Sequence, residues 1–121
     1  MRNIILILLL VSCSNNDNQK KETTDYAKEI IVLNEEIELD SMDAEKHYLR
    51  GKAKYNLNDY NGSIADFNKA IELDSTNSYA YLFRGISKYE LKDINGACID
   101  WKKSENLDNG IAYVLLTKEC K

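Results

Sequence analysis

Few side chains in this sequence could carry a reaction. There are three cysteines, Cys13, Cys98 and Cys120, and a single histidine, His47. Two arginine–aspartate combinations also recur at matching places, Arg50 with Asp66 and Arg84 with Asp100. Thiols could serve a redox or nucleophilic centre, His47 a base or ligand, and the Arg–Asp pairs an anion site. None is backed by a second group at the spacing such chemistry needs. No Ser/His/Asp triad, phosphate loop or metal-spaced cluster is present. The 20 acidic residues are scattered along the chain. A redox dithiol normally sits close in sequence at a helix start, and Cys98 and Cys120 do not. The expectation is that the chain is no enzyme and has no cofactor, metal or small-molecule substrate.

The elements that must position these residues are helices. The chain has 121 residues, no Pro and only five Gly, with 44% hydrophobic and 30% charged residues. That length fits one domain. Net charge is −4, without the basic stripe that phosphate contacts demand, so nucleic acid is excluded as a partner.

Shifting the sequence by 34 residues exposes an internal repeat. Residues 44–74 align with 78–108, and 12 of the 31 pairs are identical, among them Arg50/Arg84, Gly51/Gly85, Lys54/Lys88, Tyr55/Tyr89, Asp59/Asp93 and Asp66/Asp100. Phe67/Trp101 keeps an aromatic in place, and Ile37-Glu38-Leu39-Asp40-Ser41 recurs as Ile71-Glu72-Leu73-Asp74-Ser75. With this 34-residue period the chain resembles the tetratricopeptide-repeat (TPR) family. Gly51 and Gly85 stand at its small first-helix position. Ser63 with Ala70, and Ala97 with Ser104, stand at its second-helix small positions. The family's closing Pro is absent, with Ser75 and Asn109 in its place. The resemblance implies an all-α fold, a short right-handed solenoid of antiparallel helical hairpins with about six helices. Within residues 24–121 the expected units are a half repeat 24–43, repeats 44–77 and 78–110, and a cap helix 111–121.

Ahead of that domain, Arg2 precedes eight unbroken apolar residues, Ile4 to Val11. Eight helical residues span roughly 12 Å, far short of the bilayer's ~30 Å, so the pattern is that of a secretion signal. Leu10-Val11-Ser12-Cys13 resembles the lipobox of bacterial lipoproteins. This implies a leader over 1–12 and a lipidated Cys13. Residues 13–23 contain no apolar residue between Ser14 and Glu22 and are expected to be a flexible tether. The chain would then sit at the bacterial cell envelope, held to a membrane by its lipid. The outer membrane is favoured, with the periplasmic or surface face undetermined.

The repeat assigns roles to the residues that opened this section. Asn58-Asp59 and Lys92-Asp93 form the tight turns of two hairpins, which brings Gly51 opposite Asp66 and Phe67 and lets the backbones approach closely. Arg50 then lies beside Asp66, and Arg84 beside Asp100. Recurrence in both repeats favours structural ion pairs over a binding site, which would need to be made only once. His47 falls where the family often has an aromatic and is expected to pack. Cys98 and Cys120 lie level on the hairpin that turns at Asp108-Asn109-Gly110. In an exported protein they form a disulfide candidate, with free thiols or a redox pair as the alternatives.

Helical spacing also aligns Tyr48, Lys52 and Tyr55 on the first helix, with Tyr79, Leu82, Ile86 and Tyr89 on the third. Tyr113 and Leu116 continue the stripe in the cap. In the resembled family this stripe lines the concave groove, so it implies a protein or peptide partner. Packing between helices is an equal reading for Tyr55 and Tyr89. Only Lys52 is basic on the stripe, so the family's carboxylate clamp is missing. Two functions follow: an envelope-bound adaptor for proteins or peptides, or a structural subunit or assembly factor of an outer-membrane complex. The half repeat leaves a hairpin end that another chain could complete.

Overall fold

Asp43, Asp59, Asn77, Asp93 and Asn109 each turn a side-chain oxygen onto backbone N–H groups two or three residues ahead. Each therefore starts a helix. The computed structural model describes residues 2–121, with side chains described from Asp17 onward. The described residues form six helices and no strand: α1 Arg2–Leu39, α2 Ala44–Asn56, α3 Tyr60–Leu73, α4 Ser78–Glu90, α5 Ile94–Asn106 and α6 Gly110–Glu119. The expected half repeat, two full hairpins and cap correspond to the C-terminal part of α1, α2–α3, α4–α5 and α6.

Within each hairpin the turn closes in a Schellman arrangement. Asn58 and Lys92 adopt φ of 61° and 68°. The following N–H groups, of Asp59 and Asp93, donate back to the Lys54 and Lys88 carbonyls at 2.9 Å. Between repeats the chain instead takes a longer path through Asp40–Asp43 and Asp74–Asn77, where Asp40 and Asp74 accept from the N–H groups of Met42 and Thr76. The last connection breaks this alternation. Asp108 has φ 64° and Asn109 N–H donates to the Ser104 carbonyl, which is the within-hairpin turn used between repeats. Asn109 thus caps α6 two residues earlier than a strict 34-residue register would place it, and the cap helix starts at Gly110 rather than Ile111.

Each helix packs chiefly on its neighbours in sequence, as a solenoid requires. Tyr48, Phe67, Ala70 and Ala80 form one buried cluster across α2, α3 and α4. Leu82, Ala97, Trp101 and Ala112 form the next across α4, α5 and α6. Among the described side chains of α1, Leu33 and Ile37 are the buried apolar ones.

Cys13 and the whole 1–12 leader have side chains outside those described. Residues 17–23, expected as a flexible tether, instead continue α1 with every side chain exposed. The segment contains no Gly or Pro to interrupt a helix, and Gln, Lys and Glu are good helix formers. No described helix is long and apolar enough to cross a membrane.

Candidate functional site

The repeated Arg–Asp pairs are bidentate and carry a third member. Arg50 donates from Nε and Nη2 to the two oxygens of Asp66 at 2.9 and 2.7 Å, and Arg84 does the same to Asp100 at 2.9 and 2.6 Å. One helical turn further on, Lys54 and Lys88 reach the same carboxylates at 2.9 Å. Each arginine also donates from Nη1 backwards, Arg50 to Asn34 and Arg84 to Asn68, both at 2.9 Å. One guanidinium therefore joins three helices. Asp66 and Asp100 are buried while their cations keep an outer edge in water. Lys54 and Lys88 stood among the repeat identities with no role assigned to them, and Asn34 and Asn68 carried no expectation at all. Their signal was present, since each pair is separated by 34 residues.

The glycines opposite these clusters permit the close contact. A Cβ on Gly51 would lie 2.8 Å from the Phe67 ring, and one on Gly85 would lie 2.5 Å from the Trp101 indole nitrogen. That nitrogen donates to the Leu82 carbonyl.

His47 is buried, and its Nε2 is 2.9 Å from the Ser41 carbonyl, pinning the α1–α2 connection. Its Nδ1 is buried without a hydrogen-bond partner. No group of three or more His, Cys, Asp or Glu among the described residues could hold a metal ion. Cys98 and Cys120 are joined in a disulfide with Cα atoms 5.8 Å apart, tying the end of α6 to α5.

The tyrosine stripe divides into an open part and a packed part. Tyr79 is 51% exposed, and Lys52 and Ile86 are half-buried. Lys52 Nζ lies 5.8 and 5.4 Å from the ring centres of Tyr48 and Phe83, within reach of cation–π attraction. Tyr48 is mostly buried against Phe67 and Phe83. Burial, followed by the nearby charge of Glu45 and then Tyr79, pushes its hydroxyl up to about 12.

Three stripe residues need correction as ligand contacts. Leu82 is 2% exposed, closed over by Trp101 and Ala112. Tyr55 packs between Tyr60 and Phe83 with both centroid distances at 5.8 Å. Tyr89 stacks 5.6 Å from Trp101 and donates its hydroxyl to Glu119 at 2.7 Å, a bond that raises its pKa above the usual tyrosine value. On the cap, Tyr113 of the stripe is 57% exposed, and Ile111 and Val114 beside it are open to solvent as well, at 56% and 57%.

Comparison with known proteins agrees with this architecture. A TPR-repeat family model matches residues 51–92. The fold is that of tetratricopeptide repeats. Among solved TPR structures, the first TPR of Spaghetti (RPAP3), bound to the HSP90 peptide SRMEEVD, is 22% identical with a TM-score of 0.75, covering 86% of this chain and 84% of that one. The Arabidopsis OM64 TPR domain is 24% identical with a TM-score of 0.75, covering 84% and 91%. The second TPR domain of human RPAP3, in complex with the HSP70 peptide SGPTIEEVD, is 26% identical with a TM-score of 0.72, covering 85% and 92%. No curated protein matches the chain.

Proposed function

We propose that this TPR chain is a protein- or peptide-binding adaptor, held at the bacterial cell envelope by a lipid on Cys13. The observation that carries the binding role is the open part of the stripe. Lys52 lies over the aromatic floor of Tyr48 and Phe83, Tyr79 is open to solvent on the same stripe, and Ile86 is half-buried against the next cluster of Leu82 and Trp101, offering large amphipathic contacts at low entropic cost. The similarity to a human TPR domain in complex with a peptide supports the same role. The ion clusters do not contribute to it. Arg50, Lys54, Arg84 and Lys88 are already spent on Asp66 and Asp100, so only Lys52 offers a free cation on the stripe. Acidic peptide tails such as SGPTIEEVD are accordingly expected to bind no better than a scrambled control.

The test is crosslinking pull-down from membranes with wild type and with Tyr79→Ala/Ile86→Ala. Loss of the captured partner with an unchanged thermal melt is expected. Retained capture would move the interface to the helix ends or convex face. For the anchor, Cys13→Ala should release the chain from the membrane fraction, and an unchanged membrane fraction would reject it. The second reading, a subunit or assembly factor of an outer-membrane complex, draws on one observation: the exposed apolar face of α6.

A further inference from the structure

α6 is fastened to its neighbours near both of its ends. Before its first turn, Asn109 donates from its backbone N–H to the Ser104 carbonyl and from its side chain to the Ser78 hydroxyl. At its last turn stand two adjacent contacts, the Cys98–Cys120 bridge and the Tyr89 hydroxyl donating to Glu119 at 2.7 Å. Between these ends the docking is slight. Ala112 is the one buried residue of the helix, Leu115 and Leu116 are half-buried, and Ile111, Tyr113 and Val114 face water. A helix of ten residues is marginal in water on its own. Its place therefore depends on the bridge, whereas the α2–α3 and α4–α5 hairpins hold themselves by their Arg–Asp–Lys clusters.

What α6 covers is part of the binding stripe. Leu82 and Trp101 are 2% and 1% exposed in one cluster with Ala112 of α6. Tyr89 stacks on Trp101 and is tied to α6 through Glu119. On α4, then, Tyr79 and Ile86 keep surface in water, while α6 withholds Leu82 and Tyr89.

We propose that the Cys98–Cys120 bridge is a redox latch on this stripe, opened by a thioredoxin-fold dithiol protein, and that its reduction frees α6 and adds Leu82 and Tyr89 to the open surface. What the enlarged surface binds rests on the adaptor reading; the latch itself does not. The bridge is placed for exchange. Both cysteines are half-buried, and Cys120 lines an open crevice of about 330 Å³ with Lys102, Glu105, Tyr113, Leu116 and Thr117. A thiolate of the reductant attacks Cys120 Sγ, the Sγ–Sγ bond breaks, and Cys98 leaves as a thiolate that takes up a proton. The reductant's second thiol then attacks its own sulfur in the mixed disulfide and releases Cys120, which is protonated in turn. Two electrons and two protons pass to the chain, and the reductant ends as a disulfide. Glu119 is the neighbour of Cys120, so Tyr89 loses its acceptor as the last turn comes away.

The experiment uses the full chain in detergent, reduced with purified thioredoxin and its reductase, with thiol alkylation mapped by peptide. Amide exchange over 112–120 should rise roughly a hundredfold, the loop-closure effect of a bridge of this span. Acrylamide quenching of Trp101, the single tryptophan, should rise severalfold. A sample whose two thiols are rejoined through a methylene group, which thioredoxin cannot open, should keep both readings at their oxidised values. A bridge that thioredoxin leaves intact overturns the latch, as does Trp101 quenching unchanged after reduction. Exchange rising equally in α2 and α3 also overturns it, because the whole stack has then loosened. In membranes, a photo-activatable leucine analogue at position 82 should crosslink within the chain when oxidised, and to a second polypeptide only after reduction. Crosslinks confined to the chain in both states refute the gating. A failed adaptor reading is told apart, since Tyr79→Ala/Ile86→Ala then retains capture while α6 still opens in the purified chain.

Discussion

Truncating Arg84 to alanine removes a side chain that ties three helices together. The side chain makes two hydrogen bonds to Asp100, one to Asn68, and lies 5.5 Å from the Tyr81 ring centre. Hydrogen bonds to charged groups are worth about 1.5–3 kcal/mol each, but they are not additive, and water replaces part of them at the exposed edge of the guanidinium. Removing the partner of a fully buried charge costs about 3–5 kcal/mol. Lys88, 2.9 Å from Asp100, stays behind and lowers that figure. The expected cost of Arg84→Ala is therefore about 2–4 kcal/mol, or a Tm lower by roughly 10–20 °C for a domain of this size. Arg84→Lys should fall between, because an ammonium cannot reproduce the two-pronged contact. Lys88→Ala should cost about 1 kcal/mol, since Asp100 keeps its bidentate partner. Urea unfolding and thermal melts of the three variants measure this. An Arg84→Ala melt within about 2 °C of wild type, or a Lys88→Ala cost above that of Arg84→Ala, would show that the cluster does not hold the hairpin together.

Three further outcomes are expected. Reducing the Cys98–Cys120 bridge, which spans 22 residues, should cost roughly 3 kcal/mol on the chain-entropy estimate. Hydrogen exchange should then rise in α6 before any other helix, and uniform exchange would refute a pinned cap. Gly85→Ala should cost about 1–3 kcal/mol by driving a methyl group into Trp101 and should shift Trp fluorescence, so a neutral effect would mean that the indole moves freely. Tyr48 has its hydroxyl pKa raised from 10.0 to about 12, so its contribution to stability is complete below pH 10 and fades as pH climbs towards 12. Phenolate absorbance should show one tyrosine missing in Tyr48→Phe and titrating late in wild type, and its titration with the exposed tyrosines would contradict the burial.

The hairpins were legible in the sequence because copying a structural unit copies its contacts. Arg50 and Arg84 recur at the same offset from Asp66 and Asp100, and a buried contact made twice writes itself into the period. What the period could not reveal is which residues share a partner. Lys54 and Lys88 stood among the identities, yet only the fold shows that a lysine one turn after the arginine bends back to the same carboxylate. Helical spacing likewise assigns a direction and no depth. Tyr48 and Leu82 occupy equivalent places. The long Tyr48 keeps 9% of its surface in water, whereas the shorter Leu82, beside the larger Trp101, ends below the surface at 2%.

The cap shows where reasoning by repetition fails, and why the failure is informative. A 34-residue register would set Lys118 at the place of Arg84 and Glu119 at the place of Gly85, a charged helix end ready for solvent. The short turn through Asp108 slides α6 by two residues, and the caps then set Leu116 and Thr117 at those places. The slide also buries Ala112 at 0% against Leu82 and Trp101, just as Ala80 is buried against Phe67, and it brings Cys120 within bridging distance of Cys98. A terminal helix whose only task is to cover its neighbour would show polar residues outward. α6 shows Ile111, Tyr113 and Val114 instead, while covering its neighbour with Ala112 and Leu115. The same helix therefore closes the stack on one side and leaves an apolar face on the other.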